Sequence, residues 1–145
     1  MKRVILIMTC LVFGILSNTW ADSGDTILGE WYTEGNKSAV KIYKSDSLYY
    51  GKIIWLKEPK NKEGKDKVDT KNPDESLRTR KIIGLNLVWG FQYKNRNKWA
   101  NGKIYDPRSG KTYSCEMKLE RDKLNVRGYL GFSFLGKTTV WTKKD

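Results

Sequence analysis

KTYSCEMKLERDKLNVRG, residues 111–128, reads as two strands joined by a turn. Tyr113, Cys115, Met117 and Leu119 alternate with Ser114, Glu116 and Lys118. Glu120 to Lys123 make a tight charged turn, after which Leu124, Val126 and Gly128 alternate with Asn125 and Arg127. A period of two sends one set of side chains to a buried face and the other to water, which is the mark of a half-buried strand.

The same period recurs on both sides of this stretch. Val40 and Ile42 alternate with Lys41 and Tyr43, and Leu48 to Leu56 continues as a run rich in Tyr, Ile and Trp. Thr138, Val140 and Thr142 alternate with Thr139, Trp141 and Lys143 near the end of the chain. Asp106-Pro107-Arg108-Ser109-Gly110 is a turn, because Pro fixes one φ and Gly accepts a positive one. Eight strands are predicted, at 28–34, 38–44, 47–56, 82–91, 98–106, 111–120, 123–130 and 136–143. Short connections make this an all-β antiparallel meander, and eight such strands close into a single up-and-down barrel without free edges. A barrel of that size is either filled by its own side chains or holds one small ligand.

One segment departs from the pattern. Lys57 to Arg80 is long, charged and poor in apolar residues. Its second half suggests one short helix ending near Thr79, with Asn72 as N-cap, Pro73 at the first helical position and Glu75 closing a capping box. Loops of this length in compact domains are functional, mobile or closing elements.

Composition narrows the chemistry. The 145 residues include 28 Lys and Arg, 16 Asp and Glu, two Cys and no His. Without His there is no Ser-His or Cys-His dyad and no His-bearing zinc site, and two thiols are too few for a four-thiolate site. No metal and no cofactor is expected. The start of the chain reads as an export signal: Lys2 and Arg3, an apolar run from Val4 to Leu16, and Thr19 and Ala21 before the cut. An anchoring helix is the alternative, but 13 apolar residues span about 20 Å against a bilayer core of about 30 Å. Thr9 before Cys10 does not suit lipidation.

Residues 1–21 are therefore expected to be removed, leaving a barrel domain over 22–145 in the periplasm or outside the cell. The mature chain carries 26 basic and 16 acidic residues, a net charge of +10, with Cys115 as its only thiol. No disulfide is possible within it, and about 120 residues suffice for a core without one. No later segment is long and apolar enough to span a membrane as a helix. The positive charge is spread over Lys52, Lys60, Lys94, Lys98, Lys118 and Lys137 rather than gathered in a stripe. Together with export this argues against nucleic acid and for anionic lipid heads or an acidic envelope polymer.

Gly29-Glu30-Trp31 resembles the G-x-W opening of lipocalin-type barrels, in which the Trp closes the base beneath a basic residue of the last strand. Lys143 is the matching residue here. A broader resemblance covers nearly the whole mature chain. It runs from that triplet through YYGKIIWL (49–56), DTKNPD (69–74), LRTRKIIGL (77–85), WANGKIYDPRSGKTYSC (99–115) and RGYLG (127–131) to GKTTVW (136–141). These motifs resemble a bacterial exported family classed as a domain of unknown function. The resemblance implies a lipocalin-like barrel with no assigned reaction and no catalytic residues to carry over. Lys81 stands where that pattern has Pro.

The site residues rest on the barrel. Tyr113, Cys115 and Met117 are expected to line the interior with Leu85, Leu87 and Trp89 on a neighbouring strand; which face of that strand points inward stays open, since Ile82 and Val88 lie on the opposite one. Trp55, Tyr105 and Val126 complete the apolar lining. Such a lining suits a fatty acid, a lipid or another small hydrophobic or amphipathic ligand, with Met adapting to its shape; the alternative is a filled core in a cell-envelope structural or protein-interaction module. Arg78, Arg80 and Arg127 either receive an anionic head group or pair with Asp69, Asp74 or Asp106 to pin the long loop to the barrel. Cys115 lies on an apolar strand face, which suits an inert thiol. Glu30, Asp74, Asp106 and Glu116 are the carboxylates open to hydrolytic chemistry, and no spacing singles out a pair. A non-enzymatic binding protein is the expectation.

Overall fold

The alternating segments become eight strands: β1 Gly29–Tyr32, β2 Ser38–Ser45, β3 Leu48–Leu56, β4 Asn86–Asn95, β5 Lys98–Asp106, β6 Lys111–Glu120, β7 Lys123–Tyr129 and β8 Lys137–Lys143. The computed structural model describes residues 23–145. The leader expected over 1–21 lies outside the described residues. Each strand pairs antiparallel with the next, and β8 returns to β1 through Trp31–Lys143 and Tyr32–Thr142, so the sheet is a closed up-and-down barrel. The connections after β1, β3, β5 and β7 therefore share one end of the tube.

Two expectations are corrected along the long connection. The strand expected from Ile82 starts at Asn86. Residues 82–85 turn instead: Gly84 has φ +96°, Gly84 N–H donates to the Ile53 carbonyl, and Ile53 N–H donates to the Leu85 carbonyl. This sends Ile82 and Leu85 into the core. The helix expected from Asn72 is only a single 3₁₀ turn, Glu75–Leu77, capped by Asp74. Asn72 does not cap it because its amide is used elsewhere, donating to Asp69 and accepting from Asp74 N–H.

Trp55 is also corrected. Trp31, Val40 and Ile53 form one inward row, while Tyr32, Ala39 and Trp55 form the next. The register shifts between Ala39 and Val40, so Ile54 is an extra residue. One extra residue reverses the in–out parity of the positions beyond it. Trp55 therefore leaves the interior, is 40% exposed, and meets the Tyr32 ring edge-on at 5.9 Å.

The tube is occupied by its own side chains. Trp31, Val40, Ile42, Val88, Phe91, Trp99, Cys115, Met117, Leu124 and Val126 are almost wholly buried, as expected for close-packed interiors. Phe91 lies directly on the β5 backbone: a Cβ at Gly102 would come within 2.5 Å of its ring. At the base, Lys143 Nζ sits 4.7 Å from the Trp31 ring centroid and donates to the Leu28 carbonyl at 3.0 Å, the expected cation over the Trp face. Gly29, at φ +123°, allows this approach, since a Cβ there would lie 2.7 Å from Lys143 Nζ.

The outer wall is charged. Cross-strand pairs such as Lys41–Lys52, Lys103–Ser114, Glu116–Arg127 and Lys118–Asn125 face outward. In a lipid-facing wall each basic residue near the midplane would cost about 2–4 kcal/mol. Among the described residues no helix is long and apolar enough to cross a membrane.

Candidate functional site

One buried carboxylate ties the middle of the connection 57–85 to the barrel, beside the backbone bonds of its two ends. Asp69 is fully buried, and burying a charge is costly unless every lone pair is met. Here three donors meet it. Tyr105 Oη donates to Oδ1 at 2.6 Å; Asn72 Nδ2 and Arg80 Nε donate to Oδ2 at 2.8 and 2.9 Å. The Arg80 guanidinium also lies 5.8 Å from the Tyr105 ring centroid. Burial, and then the hydrogen bond to Asp69, push the Tyr105 hydroxyl up to about 12, so it remains a donor at ordinary pH. The carbonyl of Lys71 presses on the β5–β6 turn at Gly110, leaving no room there for a side chain.

Beside this clamp lies a groove of about 410 Å³, open to solvent on the outside of the barrel. Its wall is Tyr50 from β3, Asn86 and Trp89 from β4, Tyr105 from β5 and Thr112 from β6, and its lip is Asn72, Pro73 and Arg80. Tyr50 stacks on Tyr43 with centroids 5.5 Å apart, and Tyr43 Oη donates to Asn86 Oδ1 at 2.9 Å. These contacts hold the groove floor in place. Arg80 is partly exposed, and among the described residues its terminal nitrogens meet no further acceptor. The groove thus offers flat aromatic surface beside a guanidinium, a pairing suited to an apolar body with an anionic head.

The predicted residues divide into three groups. Leu85, Leu87, Cys115, Met117 and Val126 are buried in the core cluster. Arg80, Trp89 and Tyr105 come together at the groove. The rest differ: Tyr113 shares the inward face of β6 with Cys115 and Met117 but is only half-buried, Trp55 is exposed, Arg78 donates to the Asn72 carbonyl and pairs with Glu75, and Arg127 donates to Thr138 on the outer wall. Neither Trp89 nor Tyr105 lines the interior: Trp89 pairs with outward Lys103. Ile104 faces inward opposite Val88 and Tyr113, so Tyr105 takes the outer face and is buried by the 57–85 connection. Tyr50, Asn86 and Thr112 join the site without a sequence signal that singles them out. Asn72 and Pro73 do carry one, the Asn-Pro-Asp turn, but its pattern is equally that of a helix start.

Catalytic groupings find little geometric support. Burial pushes the Cys115 thiol up to about 12, so the thiolate that nucleophilic chemistry needs is disfavoured. Glu30 pairs with Lys144, Glu116 with Lys98 and Asp106 with Arg108; Asp74 accepts from Ser76. Among the described residues no three Cys, Asp or Glu side chains converge as a metal site requires.

Comparison with known proteins agrees with this architecture. A family model described as "Uncharacterized protein conserved in bacteria (DUF2147)" matches residues 29–143. No curated protein matches the chain. Among solved structures, protein HP1028 from Helicobacter pylori, described as belonging to the lipocalin family, superposes with a TM-score of 0.72 at 22% identity. The match covers 81% of this chain and 82% of that one. It shows a shared lipocalin-like fold.

Proposed function

This chain belongs to the bacterial DUF2147 family, and from that premise we propose that it is an exported, non-catalytic binding protein for a small anionic amphiphile such as a fatty acid. The ligand lies in the outer groove, with its apolar body on Tyr50 and Trp89 and its head on Arg80. The observation that carries this reading is the meeting of Trp89 and Arg80 in one groove. Its volume, about 410 Å³, falls within the roughly 300–1,000 Å³ of small-molecule sites. The interior is the weaker candidate, because an acyl chain there would have to displace Trp31, Phe91 or Trp99, all buried to 2% exposure or less. Export to the periplasm or beyond rests on the leader-like start; protein recovered from a bacterial envelope fraction should begin at Asp22.

Native mass spectrometry after offering fatty acids and lysophospholipids tests the proposal. One ligand per chain is expected, with affinity falling about tenfold, or about 1.4 kcal/mol, in Trp89→Ala. Retention of no offered amphiphile, or an unchanged affinity in that variant, would count against it. The packed interior also favours a second reading, a cell-envelope interaction module. Cross-linking in intact cells would then capture one dominant protein partner.

A further inference from the structure

We propose that the β7–β8 connection is a membrane-docking tip that inserts into an anionic lipid surface. Leu130, Phe132, Phe134 and Leu135 are 66, 66, 75 and 68% exposed, although they lie within six residues of sequence. Phe132 and Phe134 stack on each other in solvent, with centroids 5.5 Å apart. Isolated exposed apolar residues are ordinary, but a cluster of this kind marks an interaction surface. Trp55 and Ile83, also exposed, belong to β3 and the connection leaving the same end of the tube.

The form and charge of the tip favour a lipid surface as the occupant. It is a short projection rather than a broad face, and a stable protein interface needs about 1,200 Å² or more. Part of its backbone bonds within the turn, with Phe132 N–H donating to the Leu130 carbonyl and Leu135 N–H to the Phe132 carbonyl. That reduces the cost of moving it out of water. The strands and loop beside it supply exposed Lys37, Lys111 and Lys137, which among the described residues have no carboxylate partner. Glu34 offsets one of these charges, while Asp106 of the neighbouring turn is already paired with Arg108. Apolar insertion and basic contacts are the two signals that together give stable docking, and the basic contacts select anionic head groups.

Sedimentation with vesicles of phosphatidylethanolamine and phosphatidylglycerol, against phosphatidylcholine alone, tests this with the mature chain. Partitioning is expected to be about tenfold stronger on the anionic vesicles, to fall about tenfold in Phe132→Ser/Phe134→Ser, and to fall by a similar factor in Lys111→Gln/Lys137→Gln. A dye on Leu130→Cys, which labels selectively because Cys115 is buried, should shift to the blue on binding. The proposal is overturned if wild-type protein ignores the anionic vesicles or if the double Ser variant binds them equally. It is also overturned if sedimentation velocity shows a dimer that the same substitutions abolish, since a second copy would then cover the tip.

Discussion

Asp69 shows how a single residue joins fold to site. Its carboxylate lies between Tyr105, Asn72 and Arg80, and the same three residues line the groove. Removing one partner leaves a buried oxygen short of a donor, at a cost of about 1–3 kcal/mol. Tyr105→Phe should therefore lower the urea midpoint, with a loss in that range. Burial of Tyr105, and then this bond, also sets an alkaline limit. The folded-state pKa of Tyr105 is raised from 10.0 to about 12, so the folded chain holds the proton more tightly than the unfolded chain. This contribution is complete below pH 10 and lost as the pH rises toward 12. Burial of Cys115, raised from 9.0 to about 12, acts with the same sign. Denaturation curves collected through this window should lose stability with rising pH, less steeply in Tyr105→Phe; an unchanged slope would separate Tyr105 from the effect.

Individual elements explain why some of the site is legible in the sequence and some is not. β6 and β7 pair without a register shift, so simple alternation places Cys115, Met117 and Val126 in the core. β5 breaks that rule. Counting by twos from buried Trp99 puts Tyr105 inside, but the register with β6 shifts between Trp99 and Gly102, and Asn101 has φ +63°. After this bulge Gly102 and Ile104 face inward and Tyr105 faces outward. The Asn101-Gly102 pair is the sequence signal for the break, since Asn and Gly tolerate such backbone most readily. Gly90, at φ +75°, similarly succeeds Trp89 in β4.

Gly102→Ala places a methyl against Phe91 and should cost about 1–3 kcal/mol in chemical denaturation; a neutral result would mean that Phe91 does not pack on β5. Asp69→Ala frees the 57–85 connection without cutting a strand. Amide exchange should accelerate across that segment while β6 and β7 keep their protection, and uniform acceleration would show that the clamp supports the whole barrel.

At the scale of the whole molecule, closure and filling act together. Closure leaves no free sheet edge, and the aromatic side chains within make the tube a solid support. The two surfaces proposed for recognition accordingly lie on its outside: the groove beside the Asp69 clamp and the apolar tip after β7. The five Trp residues described in the structure report on this division. Trp31, Trp99 and Trp141 are buried in the core cluster, Trp89 lines the groove, and Trp55 is exposed. A titration of isotope-labelled protein with a short-chain fatty acid, monitored through the indole N–H resonances, reads these positions separately. The Trp89 resonance should move saturably while those of Trp31, Trp99 and Trp141 stay in place; leading shifts at Trp31 and Trp99 would put the ligand inside the barrel and contradict the account.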